Sequence, residues 1–227
     1  MLKDPKYVII VAGGSGLRMS ADVPKQFLEL QGLPILMHTI KKFHEAFSDS
    51  ILKLILPEDQ QSYWHFLCQK HSFALPHDIV NGGNSRFQSV KAGLGSITTN
   101  EGIVAIHDGV RPFVSIALIL KSFSVAQEYG NATAAVLMKD SIRMVDEDEN
   151  CAVDRSAYRV IQTPQTFRLD LLKKAFNTPE LPIFTDDASV FEHAGHKIIL
   201  IEGAYENIKI TTPEDLILAE ALLAREK

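Results

Sequence analysis

The sequence predicts an α/β fold, a mostly parallel twisted sheet with helices on both faces. The chain has 227 residues, 46% of them hydrophobic and 22% charged, which is ordinary globular composition and enough to bury the core of one domain spanning residues 1–227. Short apolar runs alternate along it with longer segments of helical period. This alternation predicts βαβ units, whose right-handed crossovers make neighbouring strands parallel.

The apolar runs predict five strands, at residues 7–11, 52–56, 103–106, 132–138 and 197–201. The segments of helical period predict five helices, at residues 35–47, 60–71, 85–97, 116–129 and 213–224. In a parallel sheet, ligands bind beyond the carboxyl ends of the strands. Residues 12–19 and 107–111 follow strands at that end, so we expect these two distant stretches to meet at one site.

One stretch departs from the alternation. Residues 141–145 and 151–155 predict two short strands around an acidic turn at 146–150. Because an isolated hairpin is only marginally stable in water, we expect this arm, about residues 139–158, to pack against its own domain or a second subunit. A solvated surface loop is the alternative.

Composition excludes several classes of partner. The formal net charge of −5 argues against the basic surface that nucleic-acid binding requires. The two cysteines, Cys68 and Cys151, are far apart and in no metal-ligand spacing, so they suggest neither a disulfide framework nor a zinc site. We expect a reducing compartment. No apolar run approaches the roughly 20 residues that a membrane span needs, and residues 1–5 have no signal-peptide core. We therefore expect a cytoplasmic protein that contacts neither membranes nor nucleic acid.

A glycine-rich loop with two spaced cations follows the first strand. It reads Gly13-Gly14-Ser15-Gly16-Leu17-Arg18-Met19, and Pro24-Lys25-Gln26 comes shortly after it. Met19 stands where a dinucleotide fingerprint needs its third glycine, and no Gly-Lys-Ser/Thr follows as in a P-loop. Glycines allow backbone amides to approach phosphates closely, although they also serve simple tight turns. Together with Arg18 and Lys25, they make this loop a candidate site for a nucleoside triphosphate.

The motifs together resemble the 2-C-methyl-D-erythritol 4-phosphate cytidylyltransferase family of sugar-phosphate nucleotidyltransferases. Besides the glycine-rich loop, the resemblance rests on Asn81-Gly82-Gly83-Asn84-Ser85-Arg86, His107-Asp108-Gly109-Val110-Arg111-Pro112, Val153-Asp154-Arg155, Thr163-Pro164-Gln165, Thr185-Asp186-Asp187-Ala188-Ser189 and Glu206-Asn207-Ile208-Lys209-Ile210-Thr211. It implies a Rossmann-like nucleotidyltransferase fold with a protruding hairpin arm. It also implies transfer of CMP from CTP to 2-C-methyl-D-erythritol 4-phosphate with release of pyrophosphate, in non-mevalonate isoprenoid biosynthesis, by a homodimer that exchanges its arms.

The resemblance assigns roles that suit the chemistry, in which one anion attacks another at the α-phosphorus. Arg18, Lys25 and Lys209 are expected to stabilise the transition state, and Asp108 to hold Mg²⁺ or another divalent cation, with helix capping as its alternative role. CTP is expected to contact Ala12, Gly13, Gly14, Ser15, Gly16, Arg18, Lys25, Gly82, Gly83, Asn84, Ser89, Asp108 and Gly109. The acceptor is expected to contact Arg111, Thr163, Thr185 and Lys209 and, from the partner's arm, Ser141 and Arg155. His107 is interpreted as structural.

Departures from the family pattern leave alternatives open. Asn84 stands where an acidic residue is frequent in the family, and Ser141 stands where threonine is frequent. Gly109-Val110 is closer to the corresponding pair in pentitol-phosphate cytidylyltransferases. Ribitol 5-phosphate is therefore the alternative acceptor. A nucleotide-sugar glycosyltransferase would use an Asp-x-Asp motif, but Asp146-Glu147-Asp148 lies in the acidic turn. A non-catalytic nucleotide-binding module would most simply have lost Lys25, Lys209 or Asp108, and all three are present.

Overall fold

The structure is a computed structural model that describes residues 4–14 and 23–225. Its strands are β1 (Lys6–Val11), β2 (Glu29–Leu30), β3 (Leu33–Pro34), β4 (Ile51–Leu56), β5 (Asp78–Asn81), β6 (Ile103–Asp108), β7 (Asn131–Leu137), β8 (Arg143–Asp146), β9 (Glu149–Ala152), β10 (Arg159–Arg168) and β11 (Leu200–Glu202). Its helices are α1 (Ile35–Ala46), α2 (Glu58–Lys70), α3 (Arg86–Gly95), α4 (Ile116–Tyr129), α5 (Leu169–Ala175), α6 (Asp187–His193) and α7 (Pro213–Arg225). The five strands and five helices that the sequence predicts are present, although the last strand is shorter than expected.

Seven strands form one sheet in the order β11-β7-β10-β6-β1-β4-β5. β1 is parallel to β4 and to β6, β4 is parallel to β5, and β7 is parallel to β11. β10 is antiparallel to both of its neighbours, β6 and β7. The predicted mostly parallel sheet is therefore confirmed, with one antiparallel strand in its interior.

Alternate residues of β1 point to opposite faces of the sheet, as the period of a strand requires. Val8 and Ile10 belong to one buried cluster, which α1, α2 and α4 complete. Tyr7 and Ile9 belong to a second cluster, which α3, α5 and α6 complete. Because each face is covered by helices, both sets of apolar side chains are removed from water.

β10 is the principal element that the sequence pattern did not predict. Its interior contains Pro164, and a proline inside a run of residues normally argues against a central strand because it cannot donate to the ladder. Here the pairing with β7 shifts register between Ile161 and Gln165, and this irregularity contains the proline. β5, α5 and α6 were also not predicted; each is short, so its periodicity is weak.

The predicted hairpin is present as β8 and β9, with Asp146 opposite Glu149. The turn is shorter than the predicted 146–150 and consists of Glu147 and Asp148 alone, because Asp146 belongs to β8 and Glu149 to β9. Every residue of both strands is exposed, Val145 by 71%. Within residues 4–14 and 23–225, no helix has the length and apolar character needed to cross a bilayer.

Candidate active site

A cleft lies at the carboxyl ends of β1, β5 and β6, where the sequence predicts a ligand site. β1 and β6 end side by side, with Val11 opposite Asp108, and the Gly109 amide donates to the Val11 carbonyl at 2.9 Å. This first cleft brings together several residues predicted to bind CTP: Ala12, Gly13, Gly14, Lys25, Gly83, Asn84, Ser89 and Asp108. Lys209 also lines it. Ser15, Gly16 and Arg18, predicted for the same site, lie outside the described residues.

The backbone at Ala12 is already bonded within the protein. Its amide donates to the Ile55 carbonyl at 3.0 Å, and its carbonyl accepts from Gln26 Nε2 at 2.7 Å. Gln26 is buried and also donates to Gln60 on α2 at 2.7 Å. Gln26 therefore ties the turn that carries Lys25 to the end of β1. Gln26 stands in the Pro24-Lys25-Gln26 motif, but its sequence position did not predict this role.

The other side of the first cleft is the loop before α3. The Ser89 hydroxyl accepts from the Gly83 amide at 3.1 Å, so this predicted CTP contact also closes the loop. Ser85 caps α3 by accepting from the Gln88 amide at 3.1 Å. A Cβ on Gly83 would lie 2.4 Å from Gln88 Cβ, which no real side chain tolerates. Glycine is required there by this close approach of the loop to the helix.

Asp108 lies at the centre of a cluster of cations. Its Oδ2 is 3.1 Å from Lys209 Nζ and 3.1 Å from Arg111 Nε, and its Oδ1 is 3.9 Å from Arg86 Nε. Burial alone would raise the pKa of Asp108, but the charges of Lys209, Arg86 and Arg111 outweigh it and hold the pKa well below its ordinary value. The carboxylate is therefore ionised throughout the physiological range. The alternative of a helix-capping aspartate is wrong, since Ser115 caps α4.

Asp108 is also the residue that could hold a divalent cation. Among the described residues, no group of three or more His, Cys, Asp or Glu side chains could form a metal site of its own. Mg²⁺ commonly binds through one carboxylate together with substrate phosphates and waters, and a single aspartate fits that mode. The three cations around Asp108 disfavour a metal held by the protein without phosphates.

A second cleft adjoins the first and shares Arg86, Asp108 and Lys209 with it. It contains Arg111, Thr163 and Thr185, all predicted to bind the acceptor. The Thr163 hydroxyl accepts from the Asp108 amide at 3.1 Å, so this residue also joins β10 to the end of β6. Gln162, Gln165 and Asp186 line this cleft as well and were not predicted.

Ser141 and Arg155 line neither of these clefts within this subunit. Both are exposed in or beside the arm, and Arg155 donates to the Lys139 carbonyl at the arm's base. Their predicted contribution to a partner's site remains a prediction.

Asn207 anchors the segment that carries Lys209, and sequence reasoning missed it. It is fully buried, its Nδ2 donates to the Thr163 carbonyl at 2.8 Å, and its own carbonyl accepts from Arg111 at 2.8 Å. Beyond Lys209, the amide of buried Ile210 donates to the Val110 carbonyl at 3.0 Å. The signal was available, because Asn207 stands in the same sequence motif as Lys209.

His107 is structural, as the sequence predicts. Its ring is fully buried against Phe43, and Nε2 lies 3.1 Å from the Arg111 carbonyl, to which a neutral imidazole donates. Burial lowers the pKa of His107 to about 4, despite the opposing effect of that hydrogen bond. The neutral ring therefore holds the Asp108–Arg111 turn in place.

Comparisons with known proteins identify relatives of this chain. The family model described as 2-C-methyl-D-erythritol 4-phosphate cytidylyltransferase matches residues 7–225. The enzyme of that name from Porphyromonas gingivalis is 49% identical over 223 residues, which cover 98% of this chain and 99% of that protein. That from Bacillus licheniformis is 41% identical, over 97% of this chain and 96% of that protein.

Solved structures share the fold of this chain. The 4-diphosphocytidyl-2C-methyl-D-erythritol synthase from Anaerococcus prevotii aligns with a TM-score of 0.83 and 30% identity, covering 97% of this chain and 96% of that one. The 2-C-methyl-D-erythritol 4-phosphate cytidylyltransferase from Thermus thermophilus aligns with a TM-score of 0.75 and 31% identity, covering 97% and 99%. The chain belongs to the 2-C-methyl-D-erythritol 4-phosphate cytidylyltransferase family.

Proposed function

We propose that this chain transfers CMP from CTP to 2-C-methyl-D-erythritol 4-phosphate in isoprenoid biosynthesis, using the two clefts that meet at Asp108. A phosphate oxygen of the acceptor attacks the α-phosphorus of CTP, a new P–O bond forms, and the bond to the β-phosphate breaks as pyrophosphate leaves. The observation that carries the proposal is the shared wall of the clefts, since Asp108 and Lys209 line both of them.

The reaction brings two anions together, so the protein's contribution is positioning and charge neutralisation. Lys209 and Lys25 line the first cleft, where each can approach a phosphate oxygen as a compact positive charge. Arg18 is proposed for the same role from the loop sequence. No general base is needed, because a phosphate monoester is already ionised near neutral pH.

A divalent cation, Mg²⁺ by preference, belongs to the same proposal. Asp108 would hold it together with phosphate oxygens of the nucleotide, and the metal would supply further neutralisation of the triphosphate. The low pKa of Asp108 supports this role, because the carboxylate needs no deprotonation to become a ligand.

The arm completes the proposal. We infer that two subunits pair through their arms and that Ser141 and Arg155 of each contribute to the partner's acceptor site. The exposure of Met144 and Val145, 59% and 71%, supports a contact that covers them. Arg155 is suited to a phosphate monoester, which its guanidinium can grip through two hydrogen bonds.

The test is release of pyrophosphate with CTP and Mg²⁺. Methylerythritol phosphate, ribitol 5-phosphate and a reaction without acceptor are compared, and Asp108→Asn purified identically reports contaminating activity. We expect release with methylerythritol phosphate, because the relatives compared above carry that name. A preference for ribitol 5-phosphate would overturn the proposed acceptor.

A further inference from the structure

Arg86 stands between the two clefts and lines both of them. It is the first residue of α3, directly after the loop that forms one side of the first cleft, which is the proposed nucleotide cleft. Its guanidinium forms two parallel bonds to Asp187, from Nη1 to Oδ1 at 2.9 Å and from Nη2 to Oδ2 at 2.6 Å. The Asp187 side chain is fully buried, whereas that of Arg86 is 28% exposed. The pair therefore joins a solvent-facing group in the clefts to an anion in the core.

On the nucleotide side, Arg86 faces Asp108. Its Nε is 3.9 Å from Oδ1, while Oδ2 is held by Lys209 and Arg111. Arg86 thus stands beside the carboxylate oxygen opposite the one that the other two cations hold. A triphosphate that reaches Asp108 comes within the field of the guanidinium.

On the acceptor side, Asp187 directly follows Thr185 and Asp186, which line the second cleft, the proposed acceptor cleft. Gln165 of β10 binds this turn through two hydrogen bonds. Its Nε2 donates to Asp186 at 2.7 Å, and its Oε1 accepts from the Ala188 amide at 2.8 Å. The N-terminus of α6 therefore directly follows residues that line the second cleft, and its N-cap Asp186 is one of them. The bond to Arg86 links this wall to α3.

A second contact also connects α3 to the segment around Asp187. The rings of Phe87, next to Arg86, and Phe184, three residues before Asp187, are stacked with centroids 5.6 Å apart. The stacking and the ion pair join the same two segments. A displacement of one segment is thus opposed by both contacts.

We propose that the Arg86–Asp187 ion pair couples the two clefts, so that a bound nucleotide tightens the binding of the acceptor. The proposal rests on the proposed function, since it concerns the same two substrates. Asp187 is buried, and a buried carboxylate deprived of its cation is strongly destabilised. When a triphosphate attracts Arg86, Asp187 follows it, and the acceptor wall moves with the nucleotide wall. By thermodynamic linkage, the acceptor tightens nucleotide binding by the same factor.

The test measures this coupling factor by isothermal titration calorimetry. Methylerythritol phosphate is titrated with and without saturating α,β-methylene CTP and Mg²⁺, in the wild-type protein and in Arg86→Lys, which keeps the charge but loses the two-pronged bond. We expect the analogue to tighten acceptor binding at least ~5-fold in the wild type. In the variant this factor falls toward one, and the acceptor's affinity measured alone changes less.

Asp187→Asn breaks the pair from the other side and replaces Arg86→Lys where that variant does not fold. The matched control is Arg168→Lys, since Arg168 also forms two bonds to an aspartate, Asp170, but lies opposite Ile103 at the other end of β6. A wild-type factor of one, or an unchanged factor in both folded variants, overturns the coupling. Absence of wild-type pyrophosphate release would instead overturn the proposed function, so the two failures are distinguishable.

Discussion

Lys209 Nζ lies 3.1 Å from Asp108 Oδ2, and the two side chains differ sharply in exposure, 42% for the lysine and 10% for the aspartate. Asp108 keeps its negative charge without Lys209, because Arg86 and Arg111 also face it. Lys209 is the most exposed of these three cations, with 28% for Arg86 and 11% for Arg111. Its exposure leaves it the most freedom of the three to turn to an incoming phosphate.

Lys209→Ala is expected to lower kcat by ~10²-fold or more, because a cation that stabilises the developing charge is removed. The melting temperature should change little, since Arg86 and Arg111 still face the Asp108 carboxylate when Lys209 is removed. Steady-state pyrophosphate release measures the first effect and thermal unfolding the second. Lys53→Ala is the matched control, because Lys53 also pairs with an aspartate, Asp78, at 2.7 Å. A kcat within ~3-fold of wild type would contradict the assigned role.

Metal binding is expected to depend on the nucleotide. The three cations around Asp108 repel Mg²⁺ until phosphates offset their charge. Calorimetric titration of the free protein with Mg²⁺ should show no binding at millimolar concentration, whereas titration in the presence of α,β-methylene CTP should show it. Treatment with a chelator should abolish turnover, and added Mg²⁺ should restore it. Tight Mg²⁺ binding to the nucleotide-free protein would count against this site.

His107 is expected to make stability depend on pH. The pKa of His107 is about 4 in the folded chain and 6.5 is its ordinary value, so the unfolded chain binds more protons between these values. Stability is therefore fully present above about pH 6.5 and is lost as the pH falls toward about 4, by ~3 kcal/mol in all. Denaturant unfolding at several pH values measures this slope.

His107→Gln should reduce that slope, because glutamine does not titrate. The slope does not vanish, since burial also lowers the pKa values of His38 and His77. His65→Gln, at an exposed position of α2, serves as control. Equal slopes in wild type and His107→Gln would show that the buried ring does not govern acid sensitivity.

Asn207→Ala is expected to cost about 1–3 kcal/mol of stability, because the buried Thr163 carbonyl loses its donor. It should also lower kcat with a smaller effect on KM for CTP, since the segment carrying Lys209 loses its anchor. Denaturant unfolding and steady-state kinetics together measure both effects. Asn177→Ala, at an exposed position, is the control. Full activity in a destabilised Asn207→Ala protein would show that Asn207 stabilises the fold without contributing to catalysis.

Mixing two inactive variants tests the shared site. Lys25→Ala removes a cation of the nucleotide cleft, and Arg155→Ala removes the arginine proposed for the partner's acceptor site. If each site uses the arm of the other subunit, a mixed dimer has one intact site and activity returns. Pyrophosphate release before and after subunit exchange measures the recovery. No recovery, with exchange demonstrated by differently tagged subunits, would mean that Arg155 does not serve the partner.

The sequence by itself determined the fold class, the ligand-bearing end of the sheet and the motifs that identify the family. These follow from local patterns, because the period of apolar residues distinguishes helices from strands, and parallel strands place their carboxyl ends together. The start of the glycine-rich loop and the segment at Asp108 were therefore expected to meet, and Gly13, Gly14 and Asp108 line the same cleft.

Only the tertiary structure decided which groups contact one another within that site. β10 carries Pro164 and still pairs in the centre of the sheet, since the register shift and two neighbouring strands override its local pattern. The same long-range packing brings Arg86, Arg111 and Lys209 around Asp108 and pairs Arg86 with Asp187. Such distances depend on how separate elements pack, and no local pattern of residues encodes them.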